Sequence, residues 1–326
     1  ARQLLLERKR LGPARVIEHL VGMQAQSPQA PYVGIWTRTT SFRRASLERL
    51  LVGRDVVRAR VMRQTLHVVT RRDYGLIRAA MSTMNFPWES ASAKELAPAI
   101  RALAADGGVT ATEAYEYLER ELGLTGREAR YAWQYGRVAG HVAHHHEDAL
   151  WAGRQTGRFV AIDEPETHDP TEARAEMLRR YLAAFGPATR RDMNAWSMQH
   201  APEIARALDR LELRRFGDEQ GRELLDVPRA PLPDPDTSAP VRFLPKWDNL
   251  LLAFADRTRV LPEQYRRTVI RQNGDVAQTF LVDGVVAGMW RVEEGRVVVE
   301  PFEPLTRAVR SDVEDEAALL ESFLAG

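Results

Sequence analysis

Apolar positions fall at helical spacing over residues 15–20 and 46–51, and then the period changes. Val56-Val57-Arg58-Ala59-Arg60-Val61 and Thr65-Leu66-His67-Val68-Val69 alternate at every second position, which predicts a pair of half-buried strands. The rhythm then repeats. Thr110-Ala111-Thr112-Glu113 has the form of a capping box opening a helix toward Leu118, a second helix is predicted over 127–138, and residues 149–151 with 157–162 read as a short hairpin. A third round has a helix over 172–185 closed by Gly186-Pro187, further helix starts at residues 189 and 201, and a strand pair at 211–216 and 222–227 around Gly217-Asp218.

After the proline-rich stretch 230–240 the pattern turns to strands. Residues 279–282 and 285–290 flank Asp283-Gly284, a strong hairpin signal, and Glu294-Gly295 marks a second turn. Ser311 with Glu314 is expected to cap a final amphipathic helix. The expected fold class is therefore α+β. Three tandem winged-helix domains, at 1–95, 96–168 and 169–229, precede a small β-rich, barrel-like domain at 230–326.

Composition narrows the chemistry. The chain has 326 residues, 44% hydrophobic and 28% charged, with no apolar run near the roughly 18 residues that a membrane span needs. Zero cysteines exclude disulfides, thiolate metal sites and a cysteine nucleophile. Residues 1–10 lack the apolar core of a signal peptide, so a cytoplasmic protein at the nucleoid, with no membrane partner, is the expectation. The net charge is only +1, yet residues 38–72 hold ten arginines against Glu48 and Asp55, while Asp312, Glu314, Asp315, Glu316 and Glu321 make the other end acidic. There are only three lysines, so the preference for arginine is compositional, and only the clustering points to nucleic-acid phosphates. Arg38, Arg43, Arg44, Arg58, Arg60 and Arg63 are the candidate DNA-binding residues.

Gln24 and Gln26, in Met23-Gln24-Ala25-Gln26-Ser27-Pro28, are the candidate catalytic pair. They follow a helical run at 14–21 and precede Pro28 and Pro31, which favour extended backbone. Residues two apart point the same way in extended backbone, whereas in a helix they do not. Two amides aimed at one place can orient a water or a polar group, but neither can take a proton near neutral pH.

Val21-Gly22-Met23-Gln24-Ala25-Gln26-Ser27-Pro28 resembles the Gln-x-Gln signature of the AlkZ family of bacterial DNA glycosylases. Phe185-Gly186-Pro187-Ala188-Thr189 with Trp196 resembles that family's third winged helix, and Leu244-Pro245-Lys246-Trp247-Asp248-Asn249-Leu250-Leu251 and Gln272-Asn273-Gly274-Asp275-Val276 resemble its C-terminal signatures. The resemblance implies a C-shaped clamp of three winged helices and a small barrel. It implies a monofunctional enzyme, with no cofactor and no metal, that removes N7-alkylguanine from double-stranded DNA and unhooks bulky interstrand crosslinks. A related branch carries Gln-x-Asp, so this chain is similar to the crosslink-resistance branch. Carried over, the family's roles put Gln24 and Gln26 at the catalytic centre. The substrate chemistry fits, because a cationic N7-alkylpurine already leaves readily and needs orientation more than a strong base.

Other candidates read more plainly. His141, His144, His145 and His146 are a solvated or DNA-facing helix end before they are a metal site, and His67 is a core residue. Lys246 would be a Schiff-base lysine only in a lyase, which the resemblance does not imply. Either the Asp283-Gly284 or the Gly217-Asp218 turn would supply a wedge for the DNA groove. The alternative function is a non-catalytic winged-helix transcription regulator. A regulator would pair two copies on half-sites, whereas tandem units in one chain suit a monomer.

Overall fold

We describe the protein from a computed structural model, over residues 1–84, 87–163 and 165–326. The chain opens with α1 (Pro13–His19), β1 (Met23–Gln24), α2 (Ala30–Trp36), α3 (Arg44–Val52), β2 (Val56–Arg60), β3 (Leu66–Thr70) and α4 (Arg71–Met81). A second run has α5 (Ala91–Leu103), β4 (Val109–Thr110), α6 (Ala111–Leu122), α7 (Gly126–Ala139), β5 (Val142–His144) and β6 (Arg158–Ala161). The third has α8 (Pro170–Phe185), α9 (Arg190–Ser197), α10 (Ala201–Leu208), β7 (Arg214–Gly217) and β8 (Glu223–Asp226). The last has β9 (Arg242–Leu244), α11 (Asn249–Leu252), α12 (Arg266–Val269), β10 (Thr279–Val282), β11 (Val285–Glu293), β12 (Arg296–Pro301) and α13 (Arg307–Ala325).

One pairing pattern recurs in the first three runs. Each contains an antiparallel hairpin, and a short upstream segment adds itself to the hairpin's second strand. β1 joins β3 to give the order β1-β3-β2, β4 joins β6 to give β4-β6-β5, and Ala188 bridges Leu225 of β8. The local signals explain the starts. Thr110 and Glu113 form the capping box at α6, and Thr189 with Asp192 forms another at α9.

The runs are not separate beads. One hydrophobic core extends from Leu4 and Ile17 through Tyr74, Tyr181 and Trp196 to Leu251 and Val286. A second gathers Val33 and Trp36 of α2 with Phe243, Phe280, Trp290 and the inner face of α13. Only the cluster around Ile100, Leu118, Trp133 and Phe159 stays within a single run.

Three expectations are corrected. The C-terminal sheet is open, in the order β12-β11-β10-β9, and is not a barrel. Four strands are too few to close around a core, and α13 packs Val313, Ala317 and Leu320 into the cluster instead. α13 begins after Thr306, whose side chain accepts from the Val309 N–H, and so starts before Ser311. Residues 149–151 are not a strand, since β6 pairs with β5 and the intervening 146–149 form a single 3₁₀ turn. Trp151 is apolar for another reason. Its ring lies edge-on to Tyr32 and to Phe323 and carries the Arg44 guanidinium 4.0 Å from its centroid.

Candidate active site

The backbone that carries the glutamines is held by residues far away in sequence. α1 ends as Val21 and Gly22 take left-handed angles, φ 57° and 87°. A Cβ on Gly22 would lie 2.9 Å from Val69 Cγ1, so glycine is required on both counts. Asn249 Nδ2 donates to the carbonyls of Leu20 (3.1 Å) and Gly22 (2.8 Å). The chain then enters β1, where Gln24 pairs with His67 in register, and Ala25 N–H donates to Leu66 O at 2.8 Å. The extended stretch is short. Pro31 does not prolong it but sits in the first turn of α2.

Both glutamine side chains meet the β2–β3 hairpin. Gln24 is 7% exposed, and its Oε1 accepts from Arg63 Nη2 at 3.2 Å. Gln26 is exposed, and its Oε1 accepts from the Leu66 backbone N–H at 2.9 Å. The structure thus brings the pair to one hairpin end.

Arg63 sits at the tip of that hairpin, where Arg63 and Gln64 both have positive φ in a turn closed by Thr65 N–H to Met62 O. Its guanidinium also donates to Trp196 O at 2.8 Å and lies 3.0 Å from His67 Nε2. All of these acceptors are neutral. Burial, reinforced by Arg257, brings the Arg63 pKa down to about 10. His67 is buried and pushed down to about 3 by desolvation and by Arg63. Its Nδ1 lies 3.1 Å from Thr65 O, so the proton is on Nδ1 and Nε2 accepts from Arg63. The sequence reading of His67 as a core residue therefore misses its place behind Gln24.

The remaining arginines divide sharply. Arg38 is fully enclosed in a bidentate ion pair with Asp248 (2.9 and 2.8 Å) and also donates to Gly34 O, so it is removed from the DNA-binding set. Arg58 is removed too. It is 5% exposed and donates to the carbonyls of Ala25 (2.9 Å), Gln26 and Asp148 (3.3 Å each), bracing the glutamine segment from behind. Arg44 lies 4.0 Å from the Trp151 ring centroid and 5.2 Å from that of Phe323, and it donates to Phe323 O. Arg43 is exposed at the start of α3. Arg60 is half-buried, its Nε has no partner, and burial lowers its pKa. It also helps bring the buried Arg137 down to about 10, so the two cations lie close together.

The histidines do not share a helix. His144 ends β5 with Nδ1 3.5 Å from Asp148, while His145, His146 and Glu147 form the following turn with ligand atoms within 4.8 Å of one another. His141 Nδ1 meets the Tyr74 hydroxyl at 3.2 Å, and burial with Arg78 and Arg101 pushes its pKa to about 4. Lys246 lies 3.3 Å from both Asp275 carboxylate oxygens, an ion pair that occupies the only lysine in the C-terminal signatures.

Sequence reasoning gave Asn249 only a part in organising the start of the C-terminal domain, and it missed Arg257. Asn249 follows the N-cap Asp248 and reads locally as a helix start, with nothing in its spacing to point back to residue 22.

This architecture is that of a DNA glycosylase, a hydrolase acting on N-glycosidic bonds in DNA. The sequence profile described as "DNA glycosylase AlkZ-like" matches residues 17–323, and the chain belongs to that family. It is 24% identical over 349 aligned residues to the interstrand DNA cross-link repair glycosylase of Streptomyces sahachiroi, covering 97% of this chain and 92% of that protein. The solved structure of the Streptomyces sahachiroi DNA glycosylase AlkZ superposes with a TM-score of 0.83 at 22% identity, over 99% of this chain and 94% of that one, and so shares its mixed α/β fold. DNA is accordingly the substrate. Among the described residues, no helix is long and apolar enough to cross a membrane.

Proposed function

We propose that this glycosylase hydrolyses the N-glycosidic bond of N7-alkylguanine, including the bulky adducts of interstrand crosslinks, with Gln24 and Gln26 ordering the attacking water. The observation that carries this reading is the glutamine pair itself. The two amides converge on one hairpin end, beside a neutral histidine and an arginine that stays charged below about pH 10. Among the described residues, no carboxylate is hydrogen-bonded to Gln24, Gln26 or Arg63, so no strong base holds them there. Such a site suits a purine that already carries a positive charge and leaves without base catalysis.

The recurring hairpin-plus-third-strand pattern supports three winged-helix units, 1–95, 96–168 and 169–229, before the sheet domain at 230–326. In this reading the units form a C-shaped clamp on duplex DNA, and Arg43 and Arg60 hold phosphates. The Streptomyces relative's cross-link repair activity suggests the same lesion class here.

Single-turnover release of N7-methylguanine from a duplex, and unhooking of an N7-linked crosslink, test the reading together. Gln24→Ala and Gln26→Ala are each expected to slow both reactions at least tenfold. Full activity in both variants would overturn it.

A further inference from the structure

The hydrogen bonds around the glutamines fix which end of each amide faces outward. An amide can be turned over, exchanging its oxygen and nitrogen, unless a neighbour dictates the choice. Here the neighbours do. Arginine and backbone N–H groups can only donate, so the Gln24 atom 3.2 Å from Arg63 Nη2 and the Gln26 atom 2.9 Å from Leu66 N must both be oxygens. The two NH₂ groups are left over. Among the described residues, Gln24 Nε2 has no acceptor, and neither has Gln26 Nε2.

Arg63 is itself held. His67 turns an acceptor nitrogen toward it because Nδ1–H is engaged by Thr65 O, and Trp196 O takes a further N–H. A cation in this position would normally be neutralised by a carboxylate, yet its recorded partners are a carbonyl, an amide oxygen and an imidazole. Arg257, the nearby cation, gives its Nε to Leu251 O and has no ion pair among the described residues. The site is therefore rich in donors and positive charge and is open to electron pairs.

We infer that Arg63 is a positioning residue that holds Gln24 by its carbonyl oxygen, so that Gln24 meets the substrate complex as a hydrogen-bond donor. This rests on the functional reading above and specifies its polarity. The glutamine does not draw a proton from the water with its carbonyl. It donates into an oxygen lone pair.

A double-mutant cycle on single-turnover excision, with DNA affinity followed against salt, tests this. Gln24→Ala and Arg63→Met should each cost about a hundredfold, the scale for losing one preorganised donor. The double variant should be no slower than either, because both remove the same interaction. The salt slope of DNA binding should not move in Arg63→Met, whereas a phosphate contact would lower it by about one. Gln24→Glu keeps an acceptor for Arg63 and gains an ion pair, so it should melt no lower than the parent protein and still be as slow as Gln24→Ala. If Arg63→Met does not fold, Gln24→Glu decides alone.

Additive losses in the cycle, a lowered salt slope, or a parental rate in Gln24→Glu each overturn the inference while leaving Gln24 in the site. A parental rate in Gln24→Ala overturns both this inference and the assignment of Gln24.

Discussion

Arg38, Arg58 and Arg63 are the same side chain within 26 positions, and their roles are set by what lies opposite. Arg38 finds a carboxylate and becomes interior structure. Arg58 finds three carbonyls and becomes a brace. Arg63 finds only neutral acceptors and keeps its field in the site. The buried histidines carry a consequence for stability. His67 and His141 are held neutral, with pKa values near 3 and 4, against about 6.5 in an unfolded chain. The unfolded state therefore binds protons that the native state refuses, so the stability contributed is complete above about pH 6.5 and drains away as the pH falls toward 4. Urea midpoints should drop steadily from pH 7.5 to 4.5, and His141→Asn should make that decline shallower. A flat series would contradict the buried, uncharged state of these rings.

At the scale of elements, the strands of the first and third hairpins and of the C-terminal sheet, and several helix starts, were legible because their signals are local. Thr110 with Glu113, Thr189 with Asp192, and Asp283-Gly284 are each written in adjacent residues and appear where expected. The Met62–Thr65 turn was not legible, since Arg63-Gln64 occupies left-handed positions that glycine or asparagine usually fill. Residues 149–151 misled for a related reason, because an apolar triplet that serves an interface has the composition of a strand. The least legible device is the Asn249 latch on the end of α1. Asn249→Ala leaves the Leu20 and Gly22 carbonyls without that donor and should cost about 1–3 kcal/mol in denaturation. It should also slow excision, since β1 begins one residue later. Unchanged excision would mean that β1 holds its place without the latch.

For the whole molecule, the recurring rhythm of helices and hairpins before a strand-rich end could be read from the sequence, but the direction each arginine faces could not. Facing is decided by contacts such as Arg38 with Asp248, across 210 residues, to which a local pattern is blind. The barrel expectation failed at this scale too, because strand count and turns do not reveal which face α13 will cover. The corrected set of arginines makes a collective prediction for binding. Arg43→Ala and Arg60→Ala should each lower the salt slope of duplex affinity by about one, regardless of sequence. In equilibrium titrations from 50 to 300 mM salt, a slope equal to the parent's in both variants would remove them from the interface.

The long-range latch also has a consequence in time. A ribosome makes residues 20–26 before the asparagine that fastens them, which comes 229 positions after Leu20. At roughly 5–20 residues per second, that leaves on the order of ten to fifty seconds in which the glutamine segment exists without its anchor. The glutamine segment is thus completed only after its distant anchor has been made. A nascent chain can display the Gln-x-Gln sequence long before it can hold the pair in its working geometry.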